Sequence, residues 1–303
     1  MSILIQILVI LVVLLGFGAA KLGYEDRLNQ DMVSEKLIQP PMKEGTSLQL
    51  GQTGAAVALG GLRSLVASIW NFRAYLHFEE LNWIKVEESY EIMTTLQPQT
   101  TYYWTTGAWH LHTNASGYYR DNEKLTPFRR ASMRKRYIDK GSAFLEEAAR
   151  QNPDNWKLTY ELARMWSDHH KLPDFERSIR HYADTLECES LPKYKRAQLQ
   201  RFRLYTMTRT EGRKQEAYNM GRSLFEQSPD NHLPRLVCAL FALQNSLNIP
   251  SSERIPDLKL FPSEALQLAW LKVYLKSEQL GYPMTGVRAK IFELEAMQSI
   301  KQQ

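Results

Sequence analysis

From Ala67 to Pro98 the apolar positions fall into two stripes at helical spacing. Trp70, Ala74 and His77 stand at i, i+4 and i+7, and Val86, Tyr90 and Met93 repeat that spacing further on. Polar Glu79, Glu80 and Asn82 separate the stripes, and Pro98 follows the second, where the chain must stop being helical. Each stripe needs a partner, so the pattern predicts a packed helix pair. Trp104, Ala108 and Leu111 match Trp70, Ala74 and His77 at an offset of 34 residues, which makes the pair a repeat.

The later units keep the phase with interruptions. In the second unit Leu145, Ala148 and the closing Pro153 come 21 residues later than the period predicts, so about 115–136 reads as an insertion. The third carries Leu162, Ala163 and Trp166, then Phe175, Ile179 and Tyr182, with Glu187 where a proline is expected. The fourth has Ala217, Leu224 and Pro229, but Gly221 stands where the stripe wants an aromatic, a weak point in the expected packing. Leu233 to Leu247 is apolar nearly all round, which predicts burial on both sides, and two amphipathic stretches, Ser263 to Leu280 and Thr285 to Ile300, supply a cap.

Ahead of the repeats, Ile3 to Ala20 is an apolar run broken only by Gln6, at the lower edge of the roughly 20 residues a spanning helix needs. It is expected to meet a membrane as an anchor, with a cleaved signal and a buried N-terminal helix as the alternatives. A polar stretch with Pro40-Pro41 then reads as a stalk. Ala55 to Phe72 is apolar again, but Arg63 and Gly60-Gly61 argue for a core helix over a second span. The resulting plan is an anchor at 1–20, a stalk at 21–47, a helical-repeat body at 48–262 and capping helices at 263–303.

Charge changes this picture by its distribution. The net charge of +5 is the balance of two basic stretches, 115–136 at +5 and 193–214 at +7, against an acidic remainder. Arg129, Arg130, Arg134, Lys135 and Arg136 concentrate in the insertion and suit an anionic lipid surface; nucleic acid fits less well, since only Tyr118, Tyr119 and Phe128 offer stacking. The default for both basic stretches is a solvated helix face. Cys188 and Cys238 lack C-x-x-C spacing and sit among helical apolar residues, as core thiols do.

Five units at this phase, with tryptophan at both Trp70 and Trp104, resemble the tetratricopeptide-repeat superfamily, whose members are right-handed, all-α helix-turn-helix solenoids that bind proteins. The N-terminal run, the Pro-Pro stalk, and Ala58 to Arg63 leading into Trp70-Asn-Phe-Arg-Ala74 look similar to a group of membrane-anchored bacterial envelope proteins with such repeats. The resemblance implies a membrane-anchored repeat architecture with a protein or peptide partner, and nothing about chemistry; the expectation is a single-pass inner-membrane protein without enzymatic activity or cofactor and with the repeats outside the cytoplasm, although Lys21, Arg27 and Lys36 after the apolar run pull toward the cytoplasmic side. In such folds first helices line the inner wall, which implies a groove of Asn71, Tyr75 and Glu79, of Thr105, Trp109 and His112, of Tyr160, Arg164 and Asp168, and of Phe202, Thr206 and Arg209. Aromatics beside arginine and acid have the composition of binding hot spots. The competing expectation is that Tyr75, Trp109 and Tyr160 pack between units.

Catalytic chemistry finds little footing. Asp168-His169-His170 is the best metal-like cluster and the basis for a metal-dependent hydrolase, yet adjacent helical residues diverge by about 100°. His110 and His112 stand two apart rather than at the i, i+4 spacing of a helical chelate, and no P-loop, G-x-S-x-G or G-x-G-x-x-G occurs.

Overall fold

A computed structural model describes residues 62–301, together with residues 24, 27, 28 and 30–35. The apolar run Ile3–Ala20, most of the stalk and the apolar residues before Leu62 lie outside the described residues. Among those described, no helix is long and apolar enough to cross a membrane, and the architecture is all-α with no strand. The chain divides into two compact units, up to Gly107 and from Ala108 onward.

In the first unit α1 (Arg63–Glu79) and α2 (Trp83–Leu96) form the expected packed pair. Asn82 caps α2 by accepting the Lys85 N–H at 3.3 Å, and Leu81 turns the chain with a positive φ of 56°. Val86, Tyr90, Met93 and Leu96 are buried along α2, the predicted stripe extended by one turn. On α1 only Val66, Ala67 and Ala74 are buried; Trp70 is partly exposed with the Arg73 guanidinium 4.7 Å above its ring, so it is less a packing residue than the sequence suggests. Trp104, on α3 (Thr101–Trp109), is 3% exposed and donates its indole N–H to the Pro98 carbonyl at 2.7 Å, closing the turn after α2.

The second unit takes in the end of α3, a π-helical turn (His110–Ala115), α4 (Ser116–Asp121), and α5 (Pro127–Gln151). There follow α6 (Trp156–Ser167), α7 (Phe175–Glu187), α8 (Lys193–Thr208), α9 (Lys214–Gln227) and α10 (Pro234–Ser246). Short α11 (Asp257–Leu260) leads to α12 (Glu264–Leu275) and α13 (Val287–Lys301). From α4 to α10 each helix packs on the next, and α8 also meets α10, so contacts run between near neighbours in the chain. The insertion forms helix: α5 has 25 residues, and nothing from Pro127 to Arg136 is buried, whereas Tyr137, Ile138, Gly141, Leu145 and Ala148 line its packed face. Thr126 and Pro127 start it cleanly, the threonine accepting the Arg129 N–H at 3.3 Å.

The largest core gathers α8, α9, α10, α12 and α13 around Leu236 to Leu243, all buried. Gly221 is a contact there, not a weak point. A Cβ on it would lie 2.9 Å from Leu204 Cδ1 and 3.0 Å from Leu240 Cδ2, so glycine is what lets α9 close on both neighbours. Cys188 and Cys238 are free and buried.

Candidate functional site

The π-helical turn interrupts the regular helix at His110–Ala115, and such turns reorient the side chains they carry. Here it presses His112 against α5 at Gly141, where a Cβ would stand 2.6 Å from His112 Cβ and 3.0 Å from the Ala108 carbonyl. His112 is therefore buried, its Nδ1 2.9 Å from Thr113 Oγ1, and desolvation pushes its pKa down to about 3. His110 turns elsewhere, its Nδ1 3.0 Å from Asn114 Nδ2, and burial lowers it to about 4. Two neutral imidazoles with separate partners are not a chelate.

Trp109 and His112 form one side of a cleft of about 360 Å³, and Glu161, Arg164, Asp168 and Lys171 form the other. Trp109 is 47% exposed at its rim. Arg164 Nη1 reaches both Glu161 oxygens at 2.9 and 3.2 Å; partial burial works against its charge, but Glu161 outweighs that and holds its pKa above the usual value. Lys171 sits 3.3 Å from Asp168, and burial pulls its ammonium below the ordinary range against that attraction. Burial would raise the Asp168 carboxyl, but the His170 N–H at 2.9 Å and Lys171 more than offset it and hold the carboxyl low. The cleft thus holds two charge pairs beside a neutral histidine, with an exposed indole at the rim.

The twelve residues that the resemblance places in a groove scatter into three settings. Trp109, His112, Arg164 and Asp168 share the cleft just described. Asn71, Tyr75 and Glu79 lie along one side of α1 in the first unit, where Tyr75 is 60% exposed and bonded to Glu79, which raises its pKa. Thr105, also in that unit, donates to its own helix at Thr101. The remaining four are spent on packing. Tyr160 stacks on Phe202 at 6.5 Å and 13° and also approaches Trp156 and Tyr182, and Thr206 is buried with its hydroxyl on the Phe202 carbonyl. Arg209 lies 4.1 Å from the Phe175 ring and 5.4 Å from that of Tyr282, and its Nη1 donates to the Ser167 carbonyl. Tyr282, from the segment between α12 and α13, covers this arginine; no sequence period could have placed it there.

The basic stretches are also consumed in part. Arg134 donates to the carbonyls of His170 at 3.0 Å and Lys171 at 3.3 Å, and Arg196 to that of Leu186 at 2.7 Å, so these arginines, with Arg209, satisfy carbonyls at or just past helix ends. Arg213 pairs with both Glu176 and Glu216, and Lys135 with Asp139. Of the five basic residues singled out in the insertion, Arg129, Lys135 and Arg136 are exposed, Lys135 within its pair to Asp139, and Arg130 and Arg134 are partly so. Asp168, His169 and His170 do not converge: the carboxylate is engaged, the two imidazole rings lie 3.7 Å apart against each other, and among the described residues no group of three His, Cys, Asp or Glu side chains is arranged to hold a metal ion.

Sequence reasoning missed Glu161, Lys171 and Gly141. Glu161 and Lys171 stand three residues from Arg164 and Asp168 and were legible as helical or turn ion pairs; a lone glycine inside a polar helix was the only sign of the close approach at His112. No protein-family model matches the chain, and a search of curated proteins finds no match.

Proposed function

We propose that this chain is a tetratricopeptide-like helical scaffold that binds a protein partner in the bacterial envelope, tethered by its N-terminal apolar run. The 34-residue recurrence of helix pairs and the neighbour-to-neighbour packing of the second unit support the repeat reading. The observation that carries the binding reading is the cleft in which an exposed Trp109 overlooks the Arg164–Glu161 and Asp168–Lys171 pairs. An exposed indole beside oriented charges offers apolar area and hydrogen bonds together, as binding hot spots do. A photo-crosslinking side chain at Trp109 in the intact protein is expected to trap one discrete partner in living cells, while the same group at exposed Leu258 traps none. Trp109→Ala is expected to weaken association with that partner by about 2 kcal/mol at unchanged thermal stability. Adducts at the two sites that do not differ would remove the cleft from consideration.

A second reading concerns the start of α5, where Phe128 is 84% exposed next to Arg129, with Arg136 two turns on. An exposed aromatic among unpaired arginines suits an anionic membrane surface, each arginine contributing about 1 kcal/mol there. Reversing Arg129, Arg130 and Arg136 to glutamate is expected to abolish binding to phosphatidylglycerol vesicles. Unchanged vesicle binding would dismiss the patch.

A further inference from the structure

A second cleft, of about 420 Å³, opens between Tyr205 of α8, Leu233 and Arg235 at the start of α10, and Trp270, Val273 and Tyr274 of α12. Its size falls within the roughly 300–1,000 Å³ of small-molecule sites, and its walls are mainly aromatic and aliphatic. Val273 is 65% exposed and Leu233 41%, so the apolar wall faces water.

Three donors at the border of this apolar setting have no acceptor among the described protein groups. The 13-residue α10 begins at Pro234 with Leu233 in the capping position, and no side-chain oxygen meets the N–H groups of its first turn. The Arg235 guanidinium lies 5.7 Å from the Tyr205 ring and 5.7 Å from that of Tyr282, and no described carboxylate pairs with it. Tyr274, 4% exposed, has a buried hydroxyl with no hydrogen-bond partner, and burial holds its pKa well above the ordinary value, so it is a donor at any physiological pH. A buried hydroxyl without an acceptor destabilises the fold, and an acceptor supplied from outside removes that cost.

We propose that this cleft binds a small apolar carboxylic acid, its carboxylate accepting from Arg235, Tyr274 and the first turn of α10, and its apolar body resting on Trp270, Val273 and Leu233. One arginine and one helix N-terminus match a single negative charge. A di- or triphosphate would need more cations than the lining holds, and a neutral apolar molecule would leave all three donors unmet.

The probe is 4-phenylbutyrate, titrated calorimetrically into the full-length chain, with 4-phenylbutan-1-ol as its neutral counterpart. The acid is expected to bind at least about ten-fold more tightly than the alcohol. Arg235→Gln, a change at an exposed side chain, is expected to erase that preference. Tyr274→Phe keeps the ring in the core, and is expected to weaken the acid about three-fold or more without lowering the melting temperature. Equal affinity for acid and alcohol, an acid affinity that survives Arg235→Gln, or no heat of binding would each overturn the proposal.

Discussion

On α10 every residue from Leu236 to Gln244 is buried, whereas α1 buries Val66, Ala67 and Ala74 and leaves Leu65, Ile69, Phe72 and Leu76 between 52% and 73% exposed. Both helices are apolar on opposite faces. They differ in what the chain supplies to cover them: α10 has α9 before it and α12 after it, while among the described residues α1 has α2 and, through Tyr103 bonded to Ser68, the start of α3, with the Leu65, Ile69, Phe72 and Leu76 side left open. Apolar content on both faces of a helix therefore states a demand for two neighbours, and only the elements that follow or precede it in the chain decide whether the demand is met.

The largest test of that contrast compares buried with half-buried positions. Trp104→Ala and Leu240→Ala each remove a side chain that is at most 3% exposed, and each is expected to cost about 3–5 kcal/mol in urea unfolding. Trp70→Ala removes a ring that is already partly in water under Arg73 and is expected to cost about 1–2 kcal/mol. Equal losses at Trp70 and Trp104 would mean that α1 is covered in the intact protein as fully as α10.

Acid probes the second unit's interior through His112. Its imidazole is neutral in the fold, with a pKa of about 3, and takes up a proton in the unfolded chain near its ordinary 6.5. The unfolded state thus binds more protons, so the stability is complete above 6.5 and is lost as pH falls toward 3. The slope is about 1.4 kcal/mol per pH unit through that window. Lys171, Arg164 and Asp168 face the ring, the two cations disfavouring its protonation and the carboxylate favouring it, and His110, lowered to about 4, contributes in the same direction as His112. Urea midpoints at about pH 7 and about pH 5 are expected to differ less in His112→Asn than in the parent. A slope that His112→Asn leaves intact would assign the acid sensitivity to other groups.

Much of the helical scaffold was legible because burial imposes a period: the stripes Val86, Tyr90, Met93 and Trp104, Ala108, Leu111 are buried where the spacing put them, and within the nearly all-apolar Leu233 to Leu247 the run from Leu236 to Gln244 is enclosed, while Leu233 and Arg235 at its start stay exposed. The candidate site was legible only in part. Trp109, His112, Arg164 and Asp168 meet in one cleft, but a strict helical period cannot foresee the π-helical turn that buries His112 over Gly141. Nor can it foresee that Tyr282, some seventy residues beyond Arg209, brings its ring to 5.4 Å from that arginine. Arginines read as a charge run act singly, at helix-end carbonyls set by which helices pack.

Gly221 sharpens the contrast at the residue the repeat pattern treats as a gap. If α9 closes on α8 and α10 as tightly as the 2.9 and 3.0 Å approaches to Leu204 and Leu240 imply, Gly221→Ala is expected to cost about 1–3 kcal/mol despite alanine's better helix propensity. Stabilisation by that substitution would show a looser core than α10's burial implies.

The smallest expected effect lies on the uncovered side of α1. Phe72 is 73% exposed, so Phe72→Ser removes little area already withdrawn from water and is expected to change stability by no more than about 0.5 kcal/mol, against several for Leu240→Ala. The two faces of α1 can then be set against each other, because Ala74, 3% exposed, sits on the buried face. Ala74→Leu is expected to destabilise by overpacking, while Phe72→Ser leaves the urea midpoint unchanged. A Phe72→Ser loss comparable to that of Ala74→Leu, measured on the full-length chain, would show that the stripe Leu65, Ile69, Phe72 and Leu76 is buried in the working protein, and that α1 meets its demand for a second neighbour as α10 does.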